Sequence, residues 1–170
     1  MKPLPFDAAQ DLADAPRVGG AQRPKDAATL ILTRDAKRPE VLMGRRAPGH
    51  VFMASKWVFP GGRIERADFN ADDDGALSHD AARRLQAEMP ARRARALALA
   101  AVRETFEETG LILGRAAPTA SVAGPWREYR QAGALPDLSV LSYVARAITP
   151  PGRPRRFDAH DRLLGMTRLW

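Results

Sequence analysis

The chain has 170 residues, 45% of them apolar, which is enough for one domain with a substantial core and too few for two. It contains no cysteine, which excludes disulfides, thiolate metal sites and cysteine nucleophiles. Most of the 27 basic residues behind the net charge of +7 are arginines, which suit a phosphate-bearing ligand but can equally reflect a GC-rich genome.

Residues 1–26 contain Pro, Gly and Asp without a sustained apolar pattern, and we predict a loosely ordered lead-in. The start of the chain lacks the apolar core of a secretory signal, and no run of about 18 apolar residues occurs anywhere. We therefore expect a cytoplasmic protein that has no membrane partner.

Three short strands are predicted next. Residues 27–33 are β-prone and residues 41–46 follow a polar turn, so the two runs are expected to form a hairpin. Residues 56–60 form a third strand, which ends at a Pro-Gly-Gly turn that begins with Pro60. Three aromatic residues of this region are expected in the core rather than as platforms for a base: Phe52, Trp57 and Phe59.

A polar segment over residues 63–75 holds several aspartates. They are Asp68, Asp72, Asp73 and Asp74. Because the segment lacks the alternating ligands and terminal glutamate of a calcium loop, it is predicted to be a solvated connection rather than a metal site. Ser78 is a suitable N-cap for a short helix over residues 79–88, with Leu85 on its apolar side and His79 on the surface.

The chain is organised around a long helix predicted over residues 90–109, where Pro90 can begin a helix and Gly110 can end one. Its content of Ala, Leu and Arg favours a helix. At about 100° per residue, an apolar stripe and an acidic face lie on nearly opposite sides. The stripe contains Leu99, Val102 and Phe106, and the acidic face contains Glu104, Glu107 and Glu108.

The acidic face is unfavourable for the helix itself. Its carboxylates repel one another, and they lie in the last turns, where the helix dipole is already negative. At an effective dielectric near 20, two charges about 6 Å apart repel by roughly 3 kcal/mol, and a bound divalent cation would reverse that cost. Three hard oxygen donors therefore indicate a site for Mg²⁺ or Mn²⁺, with a plain exposed face as the alternative.

Beyond Gly110 the patterns are weaker. Residues 111–113 are strand-like, residues 125–131 could form one or two helical turns, and the second half of 138–148 is predicted to be a strand. The tail over residues 153–170 is rich in arginine and shows no clear period.

Two stretches together resemble the signature of the Nudix hydrolases: Phe59-Pro-Gly-Gly62, and Arg103-Glu-Thr-Phe-Glu-Glu-Thr-Gly-Leu111 at the end of the long helix. The family signature reads Gly, five residues, Glu, seven residues, then Arg-Glu-apolar-x-Glu-Glu-x-Gly-apolar. The second half matches at every position except Thr105, which takes an apolar slot. In the first half, Asp68 stands where the family has Glu, and Glu65 is the alternative.

The signature is interrupted, since 34 residues rather than seven separate Asp68 from Arg103. We place the inserted segment at about residues 69–95. A branch of the family that includes coenzyme A diphosphatases has a similar interruption, and the chain looks most like that branch.

The resemblance implies an α/β fold, namely an α/β/α sandwich with a small mixed sheet. It implies hydrolysis of a phosphoanhydride in a nucleoside-diphosphate-linked compound, with coenzyme A or acyl-coenzyme A as candidate substrates, and Mg²⁺ or Mn²⁺ as the cofactor. The implied catalytic residues are Arg103, Glu104, Glu107 and Glu108, of which the three glutamates would hold the metal. The implied substrate-binding residues are Gly61, Gly62, Arg45 and Arg46.

Each of these residues has an implied role. Arg103 would orient a carboxylate through an ion pair with Glu107, four residues on. Gly61 and Gly62 would let the loop pass close under the helix, where a Cβ would intrude. Arg45 and its neighbour would meet the substrate phosphates, unless they are simply the charges of an edge strand.

The Nudix domain is predicted over residues 27–157, followed by a tail of uncertain structure over 158–170. In the branch that the chain resembles, further elements follow the Arg-Arg-Phe-Asp run at residues 155–158, so this sheet would be incomplete at its C-terminus. An incomplete sheet would favour a homodimer or a frayed end. Two rivals remain: a nucleic-acid-binding module that uses the arginine surface, which is less favoured, and a Nudix fold that binds its ligand without cleaving it.

Overall fold

The computed structural model of the protein describes residues 25–34, 37–45, 57–146 and 157–169. Within these ranges the chain forms strands, three α-helices and two short 3-10 helical turns. The strands are β1 (Lys25–Arg34), β2 (Glu40–Val41), β3 (Gly44–Arg45), β4 (Trp57–Val58), β5 (Gly61–Arg63), β6 (Gly114–Ala116), β7 (Ala134–Pro136), β8 (Ser142–Ala145) and β9 (Phe157–Leu169). The helices are α1 (His79–Gln86), α2 (Ala91–Thr109) and α3 (Arg127–Gln131), and the 3-10 turns are Arg66–Phe69 and Leu138–Val140.

The main sheet is mixed and has the strand order β2-β1-β9-β8. Strand β1 is antiparallel to β2 and β5 and parallel to β9, while β8 and β9 are antiparallel. Two further antiparallel pairs, β3 with β4 and β6 with β7, lie outside this sheet. The small mixed sheet of the predicted α/β architecture is therefore present.

The core lies between β1 and α2. Alternate residues of β1, namely Ala28, Leu30 and Leu32, are fully or almost fully buried, as the two-residue period of a strand requires. Helix α2 packs against β1 and β5, and α1 packs against α2 and β8. The middle of α2, from Ala96 to Arg103, is buried on all sides, and its many alanines leave room for this.

The long helix was predicted almost to the residue. It begins after Pro90, and Gly110 ends it in the left-handed conformation at φ 74°. The short helix α1 also begins as predicted, since the Ser78 hydroxyl accepts a hydrogen bond from the Ala81 amide at 3.3 Å. His79 is exposed. Among the described residues, no helix is both long and apolar enough to cross a membrane.

The C-terminal segment differs from the expectation of an incomplete sheet. Residues 157–169 form β9, which pairs with β1 over almost its whole length, from Lys25↔Phe157 to Arg34↔Leu169. Because β9 also pairs with β8, it lies inside the sheet. The spacing of apolar residues in the sequence did not indicate this strand. The strand is held by backbone hydrogen bonds to the strands on both sides, and these do not depend on the side-chain pattern.

Several shorter predictions are shifted or wrong. The hairpin exists, but only Glu40–Val41 pairs with β1, and Gly44–Arg45 pairs with β4 instead. The predicted strand over 111–113 is not one, since β6 begins at Gly114. Trp57 was expected in the core, yet it is 61% exposed, because β4 stands outside the main sheet.

The segment over residues 63–75 is not simply a solvated connection. It contains the first 3-10 turn, in which Asp68 is completely buried. Asp73 lies 2.6 Å from Arg95, and the Asp74 amide donates to the Pro136 carbonyl at 2.8 Å. These contacts hold the inserted part of the chain against the domain.

Candidate active site

The end of α2 carries the predicted acidic cluster. The Gly110 amide donates to the Phe106 carbonyl at 2.7 Å, which closes the last turn. Thr105 fills the apolar slot of the signature because it is fully buried and its hydroxyl donates to the Ala101 carbonyl at 2.8 Å. A threonine is therefore accommodated there without leaving a buried polar atom unpaired.

Arg103 lies beneath the cluster, and its side chain is only 2% exposed. Its Nη1 donates to Glu104 Oε1 at 3.1 Å and to Glu107 Oε1 at 3.2 Å. Its Nη2 donates to the Arg63 carbonyl at 3.0 Å, at the end of β5. The ion pair that the sequence predicted with Glu107 is present, and Arg103 also fixes Glu104 and ties the helix to the strand.

Asp68 is the counterion that makes a buried guanidinium acceptable. Its Oδ1 accepts from Arg103 Nε at 2.9 Å and from Trp126 Nε1 at 3.0 Å. Its Oδ2 accepts from Arg103 Nη2 at 3.2 Å and from the Glu65 amide at 2.7 Å. Four hydrogen bonds satisfy a carboxylate that is completely removed from water. Between the two acidic candidates for this position, the structure thus selects Asp68, while the Glu65 side chain is exposed.

The three glutamates differ in environment. The Glu104 side chain is 20% exposed and the Glu107 side chain is 39% exposed. Glu108 is also exposed, and its Oε2 accepts from the Gly61 amide at 3.3 Å. On the acidic face, the carboxylate of Glu104 is therefore partly buried beside β5, while those of Glu107 and Glu108 reach solvent.

The two glycines of β5 allow this close approach. A Cβ on Gly62 would lie 2.2–2.5 Å from the carboxylate atoms of Glu104. A Cβ on Gly61, which has φ 149°, would lie 2.2 Å from the Ala28 carbonyl oxygen of β1. The glycines lie in a strand rather than in a loop. The predicted reason for them, space under the helix, holds for Gly62, whereas Gly61 leaves space for the backbone of β1.

Burial and neighbouring charges shift the pKa values of Glu104 and Arg103. Burial raises the pKa of Glu104, and the charges of Glu107 and Glu108 act in the same direction, while Arg103 opposes them. Burial alone would lower the pKa of Arg103, but the hydrogen bonds and charge of Asp68 outweigh burial and raise it. Arg103 is thus permanently charged, and Glu104 is a carboxylate whose charged form is disfavoured chiefly by burial.

The chemistry of this donor set fits a divalent cation. Glu104, Glu107 and Glu108 supply hard oxygens, and Arg103 donates hydrogen bonds to two of the three carboxylates, those of Glu104 and Glu107. Their side chains are not gathered into a finished cage, since no three acidic or histidine side chains converge on one point in the part of the chain that the structure describes. The three glutamates are the residues here that could hold a metal ion, with a change of side-chain rotamer.

The remaining predicted residues lie elsewhere or outside the description. Arg45 is exposed in β3, where it pairs with Trp57 of β4. Arg46 and Phe52 lie outside the described residues. The sequence did not lead us to predict a role for Trp126. The general rule that a buried indole N–H needs an acceptor applies to it, and here the acceptor is Asp68.

Comparisons with known proteins agree with this geometry. The model of the NUDIX domain family matches residues 23–161. A crystal structure of a NUDIX hydrolase from Alicyclobacillus acidocaldarius is similar, with a TM-score of 0.61 and 27% sequence identity over 86% of this chain and 71% of that one. A search of curated proteins returned no match. With a family match over most of its length, the chain belongs to the Nudix family and is a Nudix-type hydrolase that acts on pyrophosphates.

Proposed function

We propose that the protein is a cytoplasmic, metal-dependent hydrolase that cleaves the phosphoanhydride bond of a nucleoside-diphosphate-linked compound. The observation that carries this proposal is the arrangement at the end of α2. Three carboxylates are presented there above one buried guanidinium, and the two glycines of β5 approach them without side chains. Such a concentration of negative charge is unfavourable for the fold alone and is relieved by a cation.

Glu104, Glu107 and Glu108 would hold Mg²⁺ or Mn²⁺, the kind of ion that Nudix hydrolases generally use. A divalent ion, when bound, neutralises the charge of a diphosphate and lowers the pKa of a coordinated water toward neutrality. Burial raises the pKa of Glu104, and a divalent ion bound beside it would favour the charged form of that carboxylate.

The chain's own contribution is orientation. Arg103 donates to Glu104 and Glu107 at once, so it sets the spacing of two carboxylates before any ligand arrives. The Gly61 amide directs Glu108 by a hydrogen bond from β5. Because Arg103 is held in turn by the buried Asp68, the positions of these oxygens depend on the rigid core and not on an exposed loop.

For the substrate we propose coenzyme A or acyl-coenzyme A. The support is the resemblance of the interrupted signature, with its Phe59-Pro-Gly-Gly62 run, to that of coenzyme A diphosphatases. In this proposal Gly61 and Gly62 admit the diphosphate beside α2, and Arg45, together with Arg46, binds its phosphates. An exposed position on the separate β3–β4 pair supports a ligand-contacting role for Arg45.

A substrate panel tests the proposal. Coenzyme A, acetyl-coenzyme A, ADP-ribose, a dinucleoside polyphosphate and ATP would be incubated with Mg²⁺, with Mn²⁺ and with EDTA, and the products would be separated by chromatography. We expect release of a nucleoside phosphate from coenzyme A with either metal and none with EDTA. No hydrolysis of any of these compounds with either metal would overturn the catalytic assignment.

The same preparation separates the rival functions. A nucleic-acid-binding module would bind RNA or DNA in EDTA with an affinity that falls steeply with added salt. A Nudix fold that binds without cleaving would bind coenzyme A in calorimetry and leave it intact. We expect complete turnover of the diphosphate. Size-exclusion chromatography with light scattering would show whether the protein is a homodimer.

A further inference from the structure

A cavity of about 180 Å³ lies beside Trp126, and its lining includes none of the glutamates of the acidic cluster. Ala67 and Ala71 form one side, at the end of the first 3-10 turn, and Val122 and Ala123 form another, in the loop before α3. Trp126, which is only 4% exposed, supplies the aromatic wall. An apolar cavity of about 150 Å³ is large enough for benzene, so this one accommodates a single ring.

One of the residues that line the cavity, Arg130, carries an unsatisfied hydrogen-bond donor. Its Nη1 donates to the Ala134 carbonyl at 2.7 Å and its Nη2 to the Pro118 carbonyl at 3.4 Å. Its Nε is buried and has no hydrogen-bond partner among the described residues. A buried donor without an acceptor is unfavourable, and an oxygen placed in the cavity would relieve it.

The charges around the cavity favour an uncharged ligand. The positive Arg130 is balanced by Asp72, which with Asn70 forms the remaining polar lining. A charged ligand would leave one of these groups opposed by a like charge. A neutral ligand that carries both a carbonyl oxygen and an N–H group would instead satisfy donor and acceptor together.

We propose that this cavity is a binding site for a planar, uncharged, single-ring heterocycle that bears a carbonyl oxygen and an N–H group. The ring packs against Trp126, and the carbonyl oxygen accepts from Arg130 Nε. Trp126 reports on occupancy, because its own Nε1–H is engaged by Asp68 and a ring against the indole changes the environment of that proton. The cavity lining contains none of the three glutamates, and binding there involves no hydrolysis. The binding test is therefore independent of the test of the proposed activity.

The test follows the indole N–H signals of the full-length protein by NMR, with uracil and nicotinamide as probes. The chain has three tryptophans, so Trp57→Phe and Trp170→Phe assign the Trp126 signal by elimination. We expect a saturable shift of that signal with a dissociation constant on the order of 1 mM, as is usual for a ligand of about nine heavy atoms. Benzoate and benzylamine, which have a similar ring and a charge, are expected to bind at least about tenfold more weakly.

Two variants remove the site by different means. Val122→Phe fills the cavity and is expected to abolish the shift, while Val144→Phe, at a 49% exposed position of β8, is the matched control and should bind like the parent. Arg130→Lys keeps the charge but puts a methylene where Nε was, and it is expected to weaken binding at least about fivefold. Circular dichroism confirms that each variant is folded.

Two results would overturn the proposal. One is a Trp126 signal that neither probe moves at concentrations up to about 10 mM, as for a cavity that holds only water. The other is an unchanged dissociation constant in folded Val122→Phe, which would place the bound probe elsewhere on the protein.

Discussion

Arg103 donates from Nε to Asp68 Oδ1 over 2.9 Å, and this buried pair joins α2 to a 3-10 turn 35 positions earlier in the chain. The same guanidinium donates to Glu104 and Glu107 on its other side. One side chain therefore links the core to the acidic cluster, and it reunites the two halves of a signature that the insertion separates in sequence.

Removing the charge of Asp68 should be strongly destabilising. Asp68→Asn removes the one fully buried carboxylate partner of Arg103 and turns an acceptor of several hydrogen bonds partly into a donor, so we expect a loss of about 3 kcal/mol in the free energy of unfolding. Urea denaturation measures it. Asp72→Asn, at an exposed position, is the control and should lie within about 0.5 kcal/mol of the parent. A loss below about 1 kcal/mol for Asp68→Asn would contradict the role given to the pair.

A methyl group on Gly62 should impair activity more than stability. In Gly62→Ala the new Cβ would meet the Glu104 carboxylate at 2.2–2.5 Å, and the flexible end of that side chain can move away, which displaces a proposed metal ligand. We expect turnover to fall at least about tenfold with the melting temperature nearly unchanged. Gly44→Ala is the matched control, because a Cβ there has no neighbour within 4 Å. Equal activities for the two variants would show that the approach of β5 to Glu104 is unimportant.

Neutralising the exposed carboxylates should abolish most of the turnover. For Glu107→Gln and for Glu108→Gln we expect a loss of at least about a hundredfold in kcat, the usual effect of removing a charge-stabilising group from a site. Each should also lose most of the rise in melting temperature that Mn²⁺ gives the parent, since a ligand that binds only the folded state stabilises it. Glu128→Gln, on the exposed face of α3, serves as the control. Near-normal kcat in both cluster variants would end their catalytic assignment.

The buried Asp137 should make stability depend on pH. Burial alone would raise its pKa, but hydrogen bonds from Ser139 and from Arg115 outweigh burial and lower it below the ordinary 3.8. A lowered pKa contributes stability above the unfolded-state value, and that contribution disappears as the pH falls through the folded-state value. Asp137→Asn should therefore be less stable than the parent at pH 7, and the difference should shrink as the pH falls below about 4.

Urea midpoints for this pair of proteins at a series of pH values would measure the effect. Asp72→Asn, at an exposed position outside the helices and strands, is a suitable comparison. If the difference between Asp137→Asn and the parent stayed constant down to about pH 3, the carboxylate of Asp137 would not be the source of the pH dependence.

The cluster of glutamates could be placed from the sequence because the information is local. Helix spacing alone puts Glu104, Glu107 and Glu108 on one face, and Pro90 and Gly110 mark the helix ends. The hairpin that starts at β1 and the helix after Ser78 were predictable for the same reason. Trp57 was placed wrongly because its burial depends on whether β4 joins the main sheet, which no local pattern encodes.

By itself the sequence determined that the site is acidic, because the identity and spacing of residues along one helix place three glutamates on one face and an arginine four positions before one of them. Only the tertiary structure decided how that cluster is supported. Asp68, from a distant turn, pairs with Arg103 and accepts a hydrogen bond from Trp126, which precedes α3. At the end of the chain, β9 pairs with β1. Contacts between residues far apart in sequence carry no periodic signal, because they are set by how the elements pack and not by the order of residues within any one of them.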